Sequence, residues 1–241
     1  MTLVAQSDPN AKARRKRRRF RFAALVAGLA VVAVAIFWCP LFEGNFGVVD
    51  TGRVYRSRQP GNHLSEWVRS YHIAAILNLR GGSPADAYYA DETRIAKEKG
   101  LVFYDLPMSA SRRPTRRELL VLIDLFERGP YPLLIHCKSG SDRTGLATAL
   151  YLMVVRGEPP ERAFRAFTLH HGHVPLFGPE RLHEPFAEYQ AWLRSSKLDH
   201  TAARFRAWVE HDYQAADAPG EIAPLRPGPR APYALRGAAS R

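Results

Sequence analysis

Cysteine is nearly absent from this chain: among 241 residues there are only Cys39 and Cys137. Two thiols cannot staple a disulfide scaffold or furnish a Cys-rich zinc module. Acidic side chains are missing from the N-terminus, where Asp8 is the single one before position 22. Residues 12–21 (KARRKRRRFR) meanwhile hold eight of the 35 lysines and arginines. Beyond position 21 the chain carries 27 basic and 22 acidic side chains, so most of the formal +12 is local and the remainder nets only +5. That balance removes the case for a nucleic-acid-binding domain, and no nucleic-acid partner is expected. Internal repeats are absent as well, which excludes solenoids and propellers.

Charge of either sign is absent from residues 22–42 (FAALVAGLAVVAVAIFWCPLF). As a helix this run is about 31 Å long, close to the thickness of a bilayer core, and it has no polar face. The expectation is a basic cytoplasmic N-terminus over 1–21 followed by a transmembrane helix over 22–42. The basic flank stays inside, which predicts a single-pass inner-membrane protein with the domain after the span extracytoplasmic. A cleaved signal sequence, cut near Ala33-Val34-Ala35 and releasing the domain to the periplasm, is the alternative.

Residues 45–214 have the alternation of a layered α/β domain. Short apolar runs at Ile73–Leu79, Leu101–Leu106 and Leu133–Cys137 read as buried strands of a mostly parallel central sheet flanked by helices. Segments of helical spacing, Ala85–Lys99 and Thr115–Arg128, separate them, with Gly100 and Gly129 as stops and Pro114 at a start. Gly145–Arg156, Pro159–His171, Pro179–Ser195 and Thr201–Tyr213 read as further helices. The tail over 215–241, rich in Ala, Pro and Gly, is expected to be disordered.

The chemistry concentrates in His136-Cys137-Lys138-Ser139-Gly140-Ser141-Asp142-Arg143-Thr144-Gly145. A buried strand ends at Cys137, small and polar residues come next, and a helix opens at Arg143. Backbone N–H groups of such a loop converge on one point, and the helix N-terminus adds its own unpaired donors. The result is a cradle for a phosphate-sized anion, and the same field favours the thiolate of a cysteine at its base. Arg143 offers a planar fork for two phosphate oxygens, which lysine does not. Gly140 lets the backbone turn inward without a Cβ in the way.

The spacing H-C-x5-R, with an apolar strand before it and Thr144-Gly145 after it, resembles the active-site loop of cysteine-dependent protein tyrosine phosphatases of the dual-specificity branch, atypical and bacterial members. Asn45-Phe46, Val54-Tyr55-Arg56-Ser57-Arg58-Gln59-Pro60 and Ile76-Leu77-Asn78-Leu79-Arg80 are similar to the N-terminal half of such domains. The resemblance covers roughly 45–195 and implies a tyrosine-phosphatase-like fold. It implies that Cys137 attacks phosphorus to form a cysteinyl-phosphate, with Arg143 and the N–H groups of Lys138, Ser139, Gly140 and Ser141 holding the phosphoryl oxygens. Thr144 would hydrogen-bond the sulfur, His136 would hold the loop and favour the thiolate, and no metal or cofactor is needed. Implied substrates are phosphotyrosine or mixed phosphoproteins, or alternatively a phosphoinositide, phospholipid or inositol phosphate. An inactive phosphate-binding module of the same fold is the reading from another class.

A general acid must protonate the leaving oxygen, and two carboxylates compete. Asp105, at the end of a strand 32 positions before Cys137, has the spacing of the family's acid. Asp142, beside Arg143, matches members that act on phosphoinositides. His170, His171 and His173 read as helix-end polar residues rather than metal ligands. Arg56 and Arg80 either line the substrate mouth or pair with acids beneath the fold. Arg112 and Arg113 either meet an anion or form a solvated basic loop. Tyr88 and Tyr89 carry no assignable role.

Overall fold

Three apolar runs form strands where their spacing predicts them, and two further strands complete the sheet. The computed structural model describes residues 9–42 and 44–215. The tail expected to be disordered lies outside the described residues from 216 onward, as do residues 1–8 of the basic N-terminus. In chain order the elements are α1 (Pro9–Phe42), β1 (Gly47–Asp50), β2 (Val54–Ser57), α2 (Leu64–Tyr71), β3 (Ala75–Asn78) and α3 (Ala87–Glu98). They continue as β4 (Val102–Asp105), α4 (Arg116–Arg128), β5 (Leu133–His136), α5 (Asp142–Val154), α6 (Pro160–Ala163), α7 (Glu184–Ser196) and α8 (Ala202–His211).

The sheet order is β1-β2-β5-β3-β4, with β1 antiparallel to β2 and the other neighbours parallel. β5 is central and buried on both faces, which explains its unbroken apolar run. Side chains alternate across it. Leu134 joins Ile76, Phe103, Leu64, Trp67 and Val68 on the α2 and α3 side. Leu133, Ile135 and Cys137 join Leu122, Phe126, Leu146 and Leu150 on the α4 and α5 side. The register sets Ser57 beside His136, His136 beside Asn78 and Asn78 beside Asp105. The carboxyl ends of four parallel strands therefore form one row, the usual place for a ligand in an open α/β sheet.

Local signals explain the helices that hold this row. α4 starts with a full capping box: Thr115 accepts from the Glu118 amide, and the Glu118 carboxylate accepts from the Thr115 amide at 2.7 Å. α5 is apolar on every side and sits in the core. The helix expected over 159–171 is instead α6 followed by single turns at Phe164–Ala166 and Leu169–His171. The interruption falls where Thr168 leaves helical geometry to cap the last turn with its own side chain.

The expected membrane span is corrected. It took 1–21 as a basic cytoplasmic N-terminus and 22–42 as the span, whereas α1 begins at Pro9 and carries Arg14 to Arg21, all exposed, as side chains of the same helix. Among the described residues no helix is long and apolar enough to cross a membrane. The transmembrane helix over 22–42, the inner-membrane location and the extracytoplasmic placement inferred from them are not upheld.

Candidate active site

The loop from Cys137 to Ser141 runs from the end of β5 to the start of α5, and its backbone is pinned from outside. The His136 carbonyl accepts from the Leu79 amide at 2.8 Å, and the Lys138 carbonyl accepts from the Gln59 amide at 3.4 Å. Asn45 Nδ2 donates to the Ser139 carbonyl at 2.8 Å. Arg56 Nη2 donates to the carbonyls of Gly140 at 2.8 Å and Ser141 at 3.4 Å. With its carbonyls drawn outward, the loop is left to present N–H groups on its inner side, the arrangement that binds an anion. One of those groups is already engaged: the Gly140 amide donates to Cys137 Sγ at 3.2 Å.

Gly140 is required here. Its φ is +76°, and a Cβ would lie 2.6–2.7 Å from the backbone of Ser57 and Arg58. Only glycine lets the loop lie this close to the end of β2.

Cys137 is 1% exposed, at the floor of the cradle. Arg143, in the first turn of α5, donates through Nη1 to the carbonyls of Leu79 at 3.1 Å and Met108 at 3.2 Å. These contacts tie the guanidinium to the segments that follow β3 and β4. Thr144 is fully buried, and its Oγ1 makes no hydrogen bond among the described residues. His136 is also fully buried; its Nε2 sits 2.6 Å from Glu92 Oε1. Glu92 Oε2 in turn accepts from Gln59 Nε2 at 2.8 Å. This buried chain ties β5, α3 and the segment after β2 together directly under the loop. Lys138 and Ser139 are exposed at its rim.

The two candidate acids occupy opposite surroundings. Asp105 ends β4, and its Oδ2 accepts from the Tyr89 hydroxyl at 2.7 Å. Asp142 is the first residue of α5, and its Oδ1 lies 2.7 Å from His173 Nδ1.

Several side chains that sequence reasoning left aside prove to build the site. Arg56 is 3% exposed and spends its guanidinium on loop carbonyls and on Ala166 O at 2.7 Å, so it lies beneath the fold and does not line a mouth. An arginine inside a fully buried four-residue strand is itself the signal, because a buried guanidinium must be hydrogen-bonded. Asn45 Nδ2 also donates to the His171 carbonyl at 2.9 Å, while Asn45 Oδ1 meets His171 Nδ1 at 2.8 Å. Burial, helped by the charge of Arg56, pushes His171 from its usual 6.5 down to about 3, so the ring is neutral. Ser141 Oγ donates to the same His171 carbonyl at 2.6 Å. Arg113 is turned away from the mouth and pairs with Glu184, Glu188 and the Tyr213 hydroxyl. Arg80 stacks its guanidinium 3.3 Å from the Tyr88 ring centre and donates to Gln59 Oε1 at 3.3 Å, close to the loop rim. Among the described residues no three His, Cys, Asp or Glu side chains converge as a metal site.

Known proteins share this loop-bearing domain. Residues 45–175 match the family model described as PTP-SAK, Swiss Army Knife protein, DSP-PTPase phosphatase domain. The chain is 30% identical over 109 residues to inositol diphosphatase DSP4 of Arabidopsis thaliana, an alignment covering 42% of this chain and 51% of that protein. It thus spans about half the length of that curated relative. Among solved structures, the active form of Tk-PTP is 23% identical, with 60% of this chain and 97% of that one covered at a TM-score of 0.48. The catalytic domain of the PP-IP phosphatase SIW14 from S. cerevisiae is 19% identical, with 64% and 93% covered at a TM-score of 0.49.

Proposed function

Because the chain belongs to the family of DSP-PTPase phosphatase domains named PTP-SAK, we propose that it hydrolyses phosphomonoesters in two displacements at Cys137. In the first, Cys137 Sγ bonds to phosphorus as the ester P–O bond breaks and the leaving oxygen takes a proton. In the second, a water oxygen bonds to phosphorus, the P–S bond breaks, and the electron pair returns to Sγ. Arg143 and the loop amides hold the three remaining phosphoryl oxygens throughout. One observation carries this reading: the carbonyls of Ser139, Gly140 and Ser141 are tied outward by Asn45 and Arg56, and Cys137 Sγ accepts the Gly140 amide. The cradle is thus built before any substrate arrives, which is the condition for electrostatic stabilisation without reorganisation cost.

Two substrate classes fit a loop of this kind: a phosphotyrosyl or mixed phosphoprotein, and a phosphorylated inositol ring, free or as a lipid headgroup. The exposed Lys138 and the half-exposed Arg80, joined through Gln59, favour a substrate with more than one phosphate. The name of the Arabidopsis relative, an inositol diphosphatase, points the same way. The test compares the purified chain on an aryl phosphate, a phosphotyrosyl peptide, an inositol polyphosphate and a short-chain phosphoinositide. The expected result is turnover of the aryl phosphate that vanadate inhibits and that Cys137→Ser abolishes, with the inositol substrates at least equal to the peptide in kcat/KM. Full activity in the Cys137→Ser chain would overturn the mechanism. Robust peptide turnover beside background inositol turnover would leave the phosphoprotein class alone.

A further inference from the structure

The segment after α6 brings two histidines to the start of α5 that the two displacements above leave without a task. His173 is 4% exposed. Its Nδ1 lies 2.7 Å from Asp142 Oδ1, and its Nε2 lies 2.8 Å from His183 Nε2. We propose that His173 and His183 are positioning residues for Asp142, holding it as the carboxyl group that moves the proton in both displacements. The inference rests on the two-displacement reading and adds to it which residue handles the proton and what orients that residue.

The network assigns its own hydrogens. A carboxylate oxygen can only accept, so His173 donates its Nδ1–H to Asp142 Oδ1. One proton lies between His173 Nε2 and His183 Nε2. A neutral His183 suits this arrangement, and burial beside His173 lowers it from 6.5 to about 4. The rings are held by aromatic walls: Phe164 and Phe167 meet His183 edge-on at 4.6 and 4.5 Å, and Phe167 lies 4.8 Å from His173. The chain His183–His173–Asp142 is therefore held in place at the start of α5.

Its consequence falls on the carboxyl group. Oδ1 is occupied by the His173 N–H, whereas Oδ2 accepts no hydrogen bond from the described residues, on a side chain 19% exposed and one residue from Arg143. Oδ2 is the oxygen left to carry a proton toward the phosphate. In the first displacement Oδ2–H gives its proton to the leaving oxygen as the P–O bond breaks. In the second, Oδ2 takes a proton from the attacking water as the P–S bond breaks, and the carboxyl group ends protonated as it began. Ester and water go in, and alcohol and inorganic phosphate come out. The competing carboxyl group is placed less well. Asp105 Oδ2 is taken by Tyr89, its Oδ1 is buried, and residues 106–114 contain no acid.

The test uses the full chain and aryl and alkyl phosphates of graded leaving-group basicity. Asp142→Asn is expected to lower kcat for poor leaving groups by about a hundredfold, the scale of general acid catalysis, with little loss for the best ones. His173→Ala should reproduce that leaving-group dependence with KM nearly unchanged. His173→Asn, whose amide can donate to Oδ1, should recover most of it. Adding His173→Ala to Asp142→Asn should cause no further loss, since the histidine acts through the carboxyl group. His183→Phe, which fits among Phe164 and Phe167, supplies a second variant and should give a several-fold loss of the same kind should His173→Ala not fold. Losses that multiply in the double variant, or that fall equally on good and poor leaving groups, overturn the positioning role. Turnover by the unaltered chain that survives Cys137→Ser would instead defeat the underlying two-displacement reading, so the two failures are distinguishable.

Discussion

Two carboxylates stand at the edge of the phosphate loop, and the structure treats them differently. Asp105 ends a strand and is held by one phenol, Tyr89, from α3. Asp142 opens a helix and is held by an imidazole that is itself held by another imidazole. The first arrangement anchors a carboxylate. On the proposed reading, the second orients the carboxyl group through a relay of two rings for proton transfer at a reacting atom. Spacing along the chain favours Asp105, and geometry favours Asp142. The difference teaches that spacing along the chain and hydrogen-bonding context are separate criteria, which leaving-group kinetics of the two Asp→Asn variants weigh against each other.

The comparison can be broken most severely through Arg143, which serves the phosphate whichever carboxyl group moves the proton. Arg143→Lys is expected to lower kcat by roughly 10²–10³, because a point charge replaces a fork that binds two equatorial oxygens. Steady-state kinetics on an aryl phosphate checks this, and a loss below tenfold would mean that the loop amides alone stabilise the transition state.

Next in size is the scaffold behind the loop. Arg56→Leu strips the carbonyls of Gly140, Ser141 and Ala166 of a charged donor. A loss of about 2–3 kcal/mol in folding stability is expected, with kcat falling further than the remaining folded fraction explains. Denaturant unfolding alongside kcat per folded molecule separates the two effects.

A smaller effect sharpens the contrast between the carboxylates. Asp105→Asn and Tyr89→Phe are expected to change kcat on poor leaving groups by only a few-fold, against about a hundredfold for Asp142→Asn. The reverse order would exchange the two roles.

The smallest expected effect is in pH. His171 and His183 are held near 3 and 4 in the fold, below their usual 6.5, chiefly by burial. Above 6.5 both rings are neutral folded or unfolded, and their neutral packing is intact. As pH falls through 6.5 the unfolded chain takes up protons that the folded one refuses, so stability declines until about 4 to 3. Both rings are partly solvated, so the decline is modest. Thermal melts should fall from about pH 7.5 to pH 5, and His183→Phe should shrink that fall. A flat profile would contradict the neutral assignment of the histidine pair.

Much of the sheet was legible because its strands are buried on both faces and read as continuous apolar runs, as Leu133–Ile135 does. β1 and β2 were not, since β1 is only partly buried and ends in Asp50 while β2 carries the buried Arg56 and Ser57. The phosphate loop was legible as a local pattern in which nucleophile, glycine, arginine and helix start come one after another. Its supports were not, because Asn45 reaches Ser139 across 94 positions and Arg56 reaches Gly140 across 84. The helix break at Thr168 escaped for a similar reason. Gly145 leaves a space on α5 that Phe167 fills, a Cβ there lying 2.8 Å from the ring, and that tertiary contact outweighs the local preference for helix. The span expected over 22–42 rested on the missing charge and the basic flank, whereas no helix among the described residues is long and apolar enough to cross a membrane.

The central claim is that phosphate is carried on Cys137 between the two displacements. The most direct measurement is mass spectrometry of the Asp142→Asn chain quenched in acid during turnover of an aryl phosphate, since slowed attack by water lets the intermediate accumulate. The account predicts a phosphoryl group on the peptide containing Cys137, absent from the Cys137→Ser chain. Steady turnover with that peptide unmodified, or with phosphate on any other residue, would contradict it.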